Sequence, residues 1–216
     1  MRSVFLVAAA LLATAVFISP LEPLASIYLA SAHVVKHLLL NFIVPLLVVL
    51  GIPPPVGKRL RVPVVVAWCA GTVSLIVWYV PALYNAALGR VGPEMLQAAT
   101  WVLGGALFFL PLYNPARERR MKAVPAGVLY LFAAAVVASV AGLRLATLPP
   151  GPYGSYAAPK DPLHILNALQ NTWHFDPEDD QQTAGFVFWL GSCLVYLWSV
   201  MVMFYRMVAG EGSKGR

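Results

Sequence analysis

The side chains best suited to chemistry in this 216-residue sequence are four histidines, a lysine among them and a late acidic run. His33 and His37 lie four apart in AHVVKHLLLNFIVPLLVVLGIPPP, residues 32–55. On a helix both imidazoles then project from one face, one turn above the other. That spacing suits two ligands of one metal, or a stacked polar face lining a cavity, and imidazole is a preferred ligand of copper, zinc and haem iron. His164 and His174, in a later connection, are further candidate ligands. Met201, Met203 and Met207 are soft copper ligands by type, although packing within a membrane explains them as well.

Lys36 stands on a different flank of the same helix and is expected to snorkel or to pair. Arg144 is expected either to snorkel or to meet outer acids or a cofactor carboxylate. Asp180, Gln181 and Gln182 follow Asp176, Glu178 and Asp179 in HFDPEDDQQ. Acids in a first helical turn favour the positive end of the macrodipole, but this run exceeds what capping needs. We therefore expect the Asp180 carboxylate to point inward, toward a histidine or Lys36.

The elements that position these groups are membrane spans. Hydrophobic residues make up 60% of the chain and charged ones 11%, with mean hydropathy +0.74, whereas soluble domains are about a quarter charged. Apolar runs at about 4–18, 27–51, 62–80, 95–112, 123–148 and 183–208 are each near or above the roughly 17 residues that cross a bilayer. They lack the period-two alternation of a barrel, and backbone groups in lipid must be satisfied internally. An all-α polytopic bundle of six transmembrane helices follows, one domain over residues 1–216. Residues 1–19 resemble a signal peptide in pattern; we read them as a retained first helix.

Net charge is +6, and the distribution of basic residues excludes nucleic acid as its explanation. Arg2, Lys58, Arg59, Arg61, Arg117, Arg119, Arg120, Lys122, Arg206, Lys214 and Arg216 fall at alternate ends of the spans, with only Arg90 and Lys160 in the opposite loops. By the positive-inside rule both termini are cytoplasmic. The four histidines then lie in or just beyond the outer half. Cys69 and Cys193 fall inside spans and form no C-x-x-C, so they read as small buried residues.

Pro45 is expected to kink the second span and free the carbonyl near Asn41. The outer connection 149–182 is the only long one, and such loops tend to carry function. Asp161-Pro162 reads as the cap and first residue of a short interfacial helix, LHILNALQNTW. No nucleophile elbow, phosphate loop or Rossmann glycine pattern occurs in a suitable context, so the chain is expected to be no enzyme.

These residues carry a family resemblance. AHVVKHLLLNFIVPLLVVLGIP resembles the H-x-x-x-H-x-L-L segment, ending in Pro-Leu-Leu and Gly-x-Pro, of the CtaG-type cytochrome c oxidase (caa3) assembly factors. VPALYNAAL is similar to that family's segment at the end of the next helix, and DQQTAGFVFWLGSCLVYLW to its Asp-Gln-Gln segment leading into the last.

The resemblance implies a membrane protein that helps mature a haem-copper terminal oxidase, partnering its subunits and the surrounding lipids and handling copper. The matching residues are His33, His37, Pro81, Tyr84, Asp180, Gln181, Gln182, Gly185 and Trp189. The chain departs from the pattern at Tyr79 and at PEMLQA, residues 93–98, where the family carries histidines, and the family usually has one more helix at the N-terminus. Those departures leave open a permanent structural subunit of a respiratory supercomplex binding lipid or quinone. A haem b membrane subunit using His33 or His37 with His164 or His174 is a further reading, since two axial imidazoles could come from a helix and the adjoining outer loop.

Overall fold

A computed structural model of the chain describes residues 2–113, 124–148, 156, 160–173 and 176–212. Among these, the apolar runs form helices and no strand occurs. The first is α1, Arg2–Ile18. Pro20 follows, and α2, Leu21–Tyr28, leaves at 62° to it. Leu29 is extended, with φ −131° and ψ 123°, and reverses the chain into α3, Ala30–Gly51. Short α4, Pro54–Arg59, starts at the proline run that ends α3.

The next span is broken. α5, Val64–Tyr79, and α6, Pro81–Ala87, meet at 78°. Pro81 cannot donate to the preceding turn and forces Val80 out of helical geometry, to φ −69° and ψ 120°. Gly89, at φ +67°, then turns the chain into α7, Val91–Tyr113. α8, Val124–Thr147, and α9, Pro177–Gly212, complete the bundle. Four straight helices are long and apolar enough to cross a membrane, and the bent pairs α1–α2 and α5–α6 bring the number to as many as six.

α3 is the hub, packed against α1, α7 and α9, while α5 lies on α7 and α8 on α9. Its middle widens into a π-helical turn over Leu39–Ile43, just before Pro45, which removes the amide that would have bonded the Asn41 carbonyl. That carbonyl lies against Gly105 of α7, where a Cβ would stand only 2.0 Å from it. At Gly185 of α9 a Cβ would stand 2.5 Å from Ala146 of α8. These contacts are the close backbone approaches that small residues permit between membrane helices.

The interior is aromatic. Phe42, Phe108, Phe109, Tyr130 and Tyr196 are all buried, and the Tyr130 hydroxyl donates to the Phe108 carbonyl at 2.9 Å. Leu190, Leu194, Leu197 and Met201 of α9 and Leu129, Phe132 and Val140 of α8 are exposed instead, which is the surface a helix presents to lipid.

Candidate functional site

Every chemically distinctive side chain that the structure describes in the first half of α3 is buried. Exposure is 3% at His33, 1% at Lys36 and 0% at His37. The two imidazoles share one face of the helix, as their spacing predicts, and that face meets an aromatic cage. Trp101 of α7 stacks on His37 with centroids 4.2 Å apart and 19° between planes, and meets His33 edge-on at 5.6 Å. Tyr84 of α6 lies 4.8 Å from His33. Tyr79 of α5 and Phe188 of α9 flank His37 at 5.3 and 5.7 Å.

Within the cage, His37 Nδ1 meets the Tyr79 hydroxyl at 2.8 Å. His37 Nε2 and both nitrogens of His33 are buried without a hydrogen-bond partner among the described residues. The Ala25 carbonyl faces His33 but falls short of hydrogen-bond geometry. Three unmatched imidazole nitrogens in a buried aromatic cage are costly unless something binds them. When Nδ1 donates its proton to the phenol oxygen, the lone pair of Nε2 is left for a ligand.

Lys36 pairs rather than snorkels. Its ammonium lies 2.7 Å from Glu22 Oε2 on α2 and 2.5 Å from Glu94 Oε1 on α7. The Ser26 hydroxyl lies 2.8 and 2.9 Å from the same two carboxylates, and the Phe17 ring covers the cation at 5.0 Å. A charge at this depth persists only with such partners. Both acids escape sequence reasoning. Glu94 falls inside PEMLQA, where the chain departs from the family's histidine-bearing pattern, and a charge at that position is the signal available.

Asp180 is 2% exposed and points toward α3 as expected, but its partners are neither a histidine nor Lys36. The Ala30 amide donates to it at 2.6 Å and the Ser31 amide at 3.3 Å, and the Ser31 hydroxyl bonds it too. The carboxylate therefore caps the N-terminus of α3 from another helix, where unbonded amides and the macrodipole favour an anion. Gln181 does the converse job at the end of α8, donating to the Leu145 carbonyl at 3.1 Å and to that of Leu148. Gln182 is exposed, beside Glu178 in a depression bordered by Leu143 and Thr147.

The outer connection contributes its own lock. Asp161 accepts from the Tyr28 hydroxyl at 3.0 Å and from the Ile165 and Leu166 amides at 2.9 and 3.3 Å. Partial desolvation opposes it, yet these bonds hold the carboxyl below its usual range. The bonds open a short helical segment through Ala168–Thr172, and Leu169 is buried beneath it. Tyr156, buried, donates to the Ala25 carbonyl. His164 stands exposed on the turn at φ 54°, and His174 lies outside the described residues. Arg144 is exposed in the last turn of α8. Among the described residues no three His, Cys, Asp or Glu side chains converge to hold a metal ion.

An all-helical bundle that crosses the membrane several times and gathers its buried ions and imidazoles at one end is an integral membrane protein built around an intramembrane polar site. The chain belongs to the cytochrome c oxidase caa3 assembly factor family, which matches it over residues 54–209. The match includes α6 and the Asp180-Gln181-Gln182 start of α9 and begins beyond the histidines of α3. Curated proteins and solved structures give no match to the chain.

Proposed function

We propose that this protein is a non-enzymatic assembly factor of a haem-copper terminal oxidase, lying in a prokaryotic cell membrane with both termini cytoplasmic. In that role it holds copper as cargo at the caged pair His33 and His37. One observation carries the metal half of the reading: the two imidazoles on one buried face of α3 leave three nitrogens without a hydrogen bond among the described residues, while the hydroxyl of Tyr79 engages the remaining one. Two neutral imidazoles surrounded by aromatic rings suit copper by donor type. A partner hydrogen-bonded to the far nitrogen of a ligating histidine fixes its tautomer and raises its basicity. A haem would need far more room, because Tyr84, Trp101 and Phe188 crowd the two imidazoles with ring centroids 4.2–5.7 Å away.

The distribution of basic residues supports a site in the outer half of the membrane, where an oxidase subunit would receive its metal from the same leaflet. Purified protein should bind about one copper per chain, more weakly as acid protonates the imidazoles. The double variant His33→Ala, His37→Ala should lose it. Tyr79→Phe should retain the stoichiometry with affinity lowered roughly 10 to 100-fold, as for loss of a supporting hydrogen bond. Monodisperse elution in detergent checks that each variant folds. Undiminished copper in the folded double variant would overturn the assignment.

A further inference from the structure

The break at Pro81 has a second effect, on the face of the bundle away from the histidines' own helix. Where α6 turns away by 78°, α8 continues past it, and the gap between α5 and α8 becomes a groove of about 510 Å³. Ile76, Tyr79, Pro81, Val136, Val140 and Arg144 are among the residues lining it. Its walls are otherwise hydrocarbon, with one cation at the end nearer the α8 C-terminus.

That cation forms no ion pair with any described residue. Glu22 and Glu94 hold Lys36, Asp161 holds Tyr28, Asp180 holds α3, and Asp176 caps α9 through the Glu178 and Asp179 amides. Glu178 borders the adjoining depression, which shares Leu148 with the groove, and forms no ion pair with Arg144. The stretch that follows α8, PPGPYGSYAAPK at 149–160, contains no acid. An arginine in the last turn of a spanning helix lies at headgroup depth, where its planar fork matches a phosphate with two parallel hydrogen bonds.

We propose that this groove is a binding site for one anionic phospholipid, with its phosphate on Arg144 and an acyl chain running along α8 past Val140 to Val136. Arg144 and Val136 are eight residues apart, about 12 Å of helix, and the groove volume falls in the range of specific ligand sites. Charge complementarity selects the headgroup, and the apolar walls admit the chain from the side. The ring of Tyr79 forms part of the wall while its hydroxyl meets His37, so a seated acyl chain packs directly against a residue of the histidine cage.

The test uses the full chain purified in a neutral detergent and then given dioleoyl phosphatidylglycerol, dioleoyl phosphatidylcholine or sn-glycerol 3-phosphate, with retention read by native mass spectrometry after washing. Phosphatidylglycerol should be retained at one per chain and raise the melting temperature, phosphatidylcholine much less, and glycerol phosphate not at all. Arg144→Gln should weaken phosphatidylglycerol retention by about tenfold or more, the loss of a charged hydrogen bond, whereas Arg144→Lys should keep most of it. Val140→Trp, which fills the groove and leaves the charge, should abolish retention.

Equal retention by wild type and Arg144→Gln, or retention undiminished in Val140→Trp, would mean unspecific surrounding lipid and would overturn the proposal. So would protection by glycerol phosphate alone, which would mark a site for free phosphate. If Arg144→Gln fails to fold, the groove-filling variant and the lysine variant decide the matter.

Discussion

Asp180 belongs to the last helix but acts at the start of the third. As a carboxylate it accepts two amides and a hydroxyl at once, whereas an asparagine offers a single oxygen and no charge. Asp180→Asn should therefore cost about 1.5–3 kcal/mol of stability, the range for hydrogen bonds to a charged group, seen as a lower melting temperature in detergent. The copper stoichiometry proposed for the histidine pair should be unchanged, because no imidazole touches the carboxylate. A large fall in metal affinity with an unchanged melting temperature would contradict the capping role. That Asp180 is buried was legible from an acidic run longer than capping requires; which atoms it meets was not, because a single sequence carries no register between helices. Lys36 illustrates the same limit. Its burial demanded a counter-ion, yet Glu94 lies 58 residues away along the chain, and its place in PEMLQA marks it as unusual without pairing it with Lys36.

The helices themselves were legible almost throughout, since length and hydropathy alone set where a chain can cross lipid. The prolines at 20, 45 and 81 were visible too, but each acts differently. Pro20 and Pro81 accompany bends of 62° and 78°, while Pro45 follows a π-helical turn within an unbroken span. Proline removes a donor wherever it sits; surrounding packing decides whether the axis turns. At Pro45 the packing is Gly105, whose lack of a side chain admits the Asn41 carbonyl. Gly105→Leu should force α7 away from α3 and cost about 1–3 kcal/mol or more, as overpacking does, with a lower melting temperature as the reading. Leu103→Ala, two residues away and 64% exposed, should change it little. Equal effects of the two would show that α3 and α7 are not held at this contact.

Across the whole molecule, polarity is distributed unevenly. The end where α2, α6 and the Asp161 turn meet holds the ion cluster, the helix cap and both caged histidines, whereas α8 and α9 offer broad apolar faces to their surroundings. The interior of such a protein cannot be assembled in any order, because an unpaired lysine inside a span opposes insertion, by up to about 2.5–3.5 kcal/mol at the helix centre. Ribosomal synthesis proceeds from the N-terminus, so Glu22 has already emerged when Lys36 arrives, and Glu94 has not. The 2.7 Å pair between Glu22 and Lys36 thus allows α3 to leave the translocon already neutralised, and Glu94 joins once α7 follows. Glu22→Gln should reduce membrane insertion of a nascent chain truncated after α4, measured by glycosylation mapping, while Glu94→Gln should lower only the stability of the finished protein. Normal insertion of the truncated Glu22→Gln chain would show instead that Lys36 finds both partners after its helix has entered the bilayer.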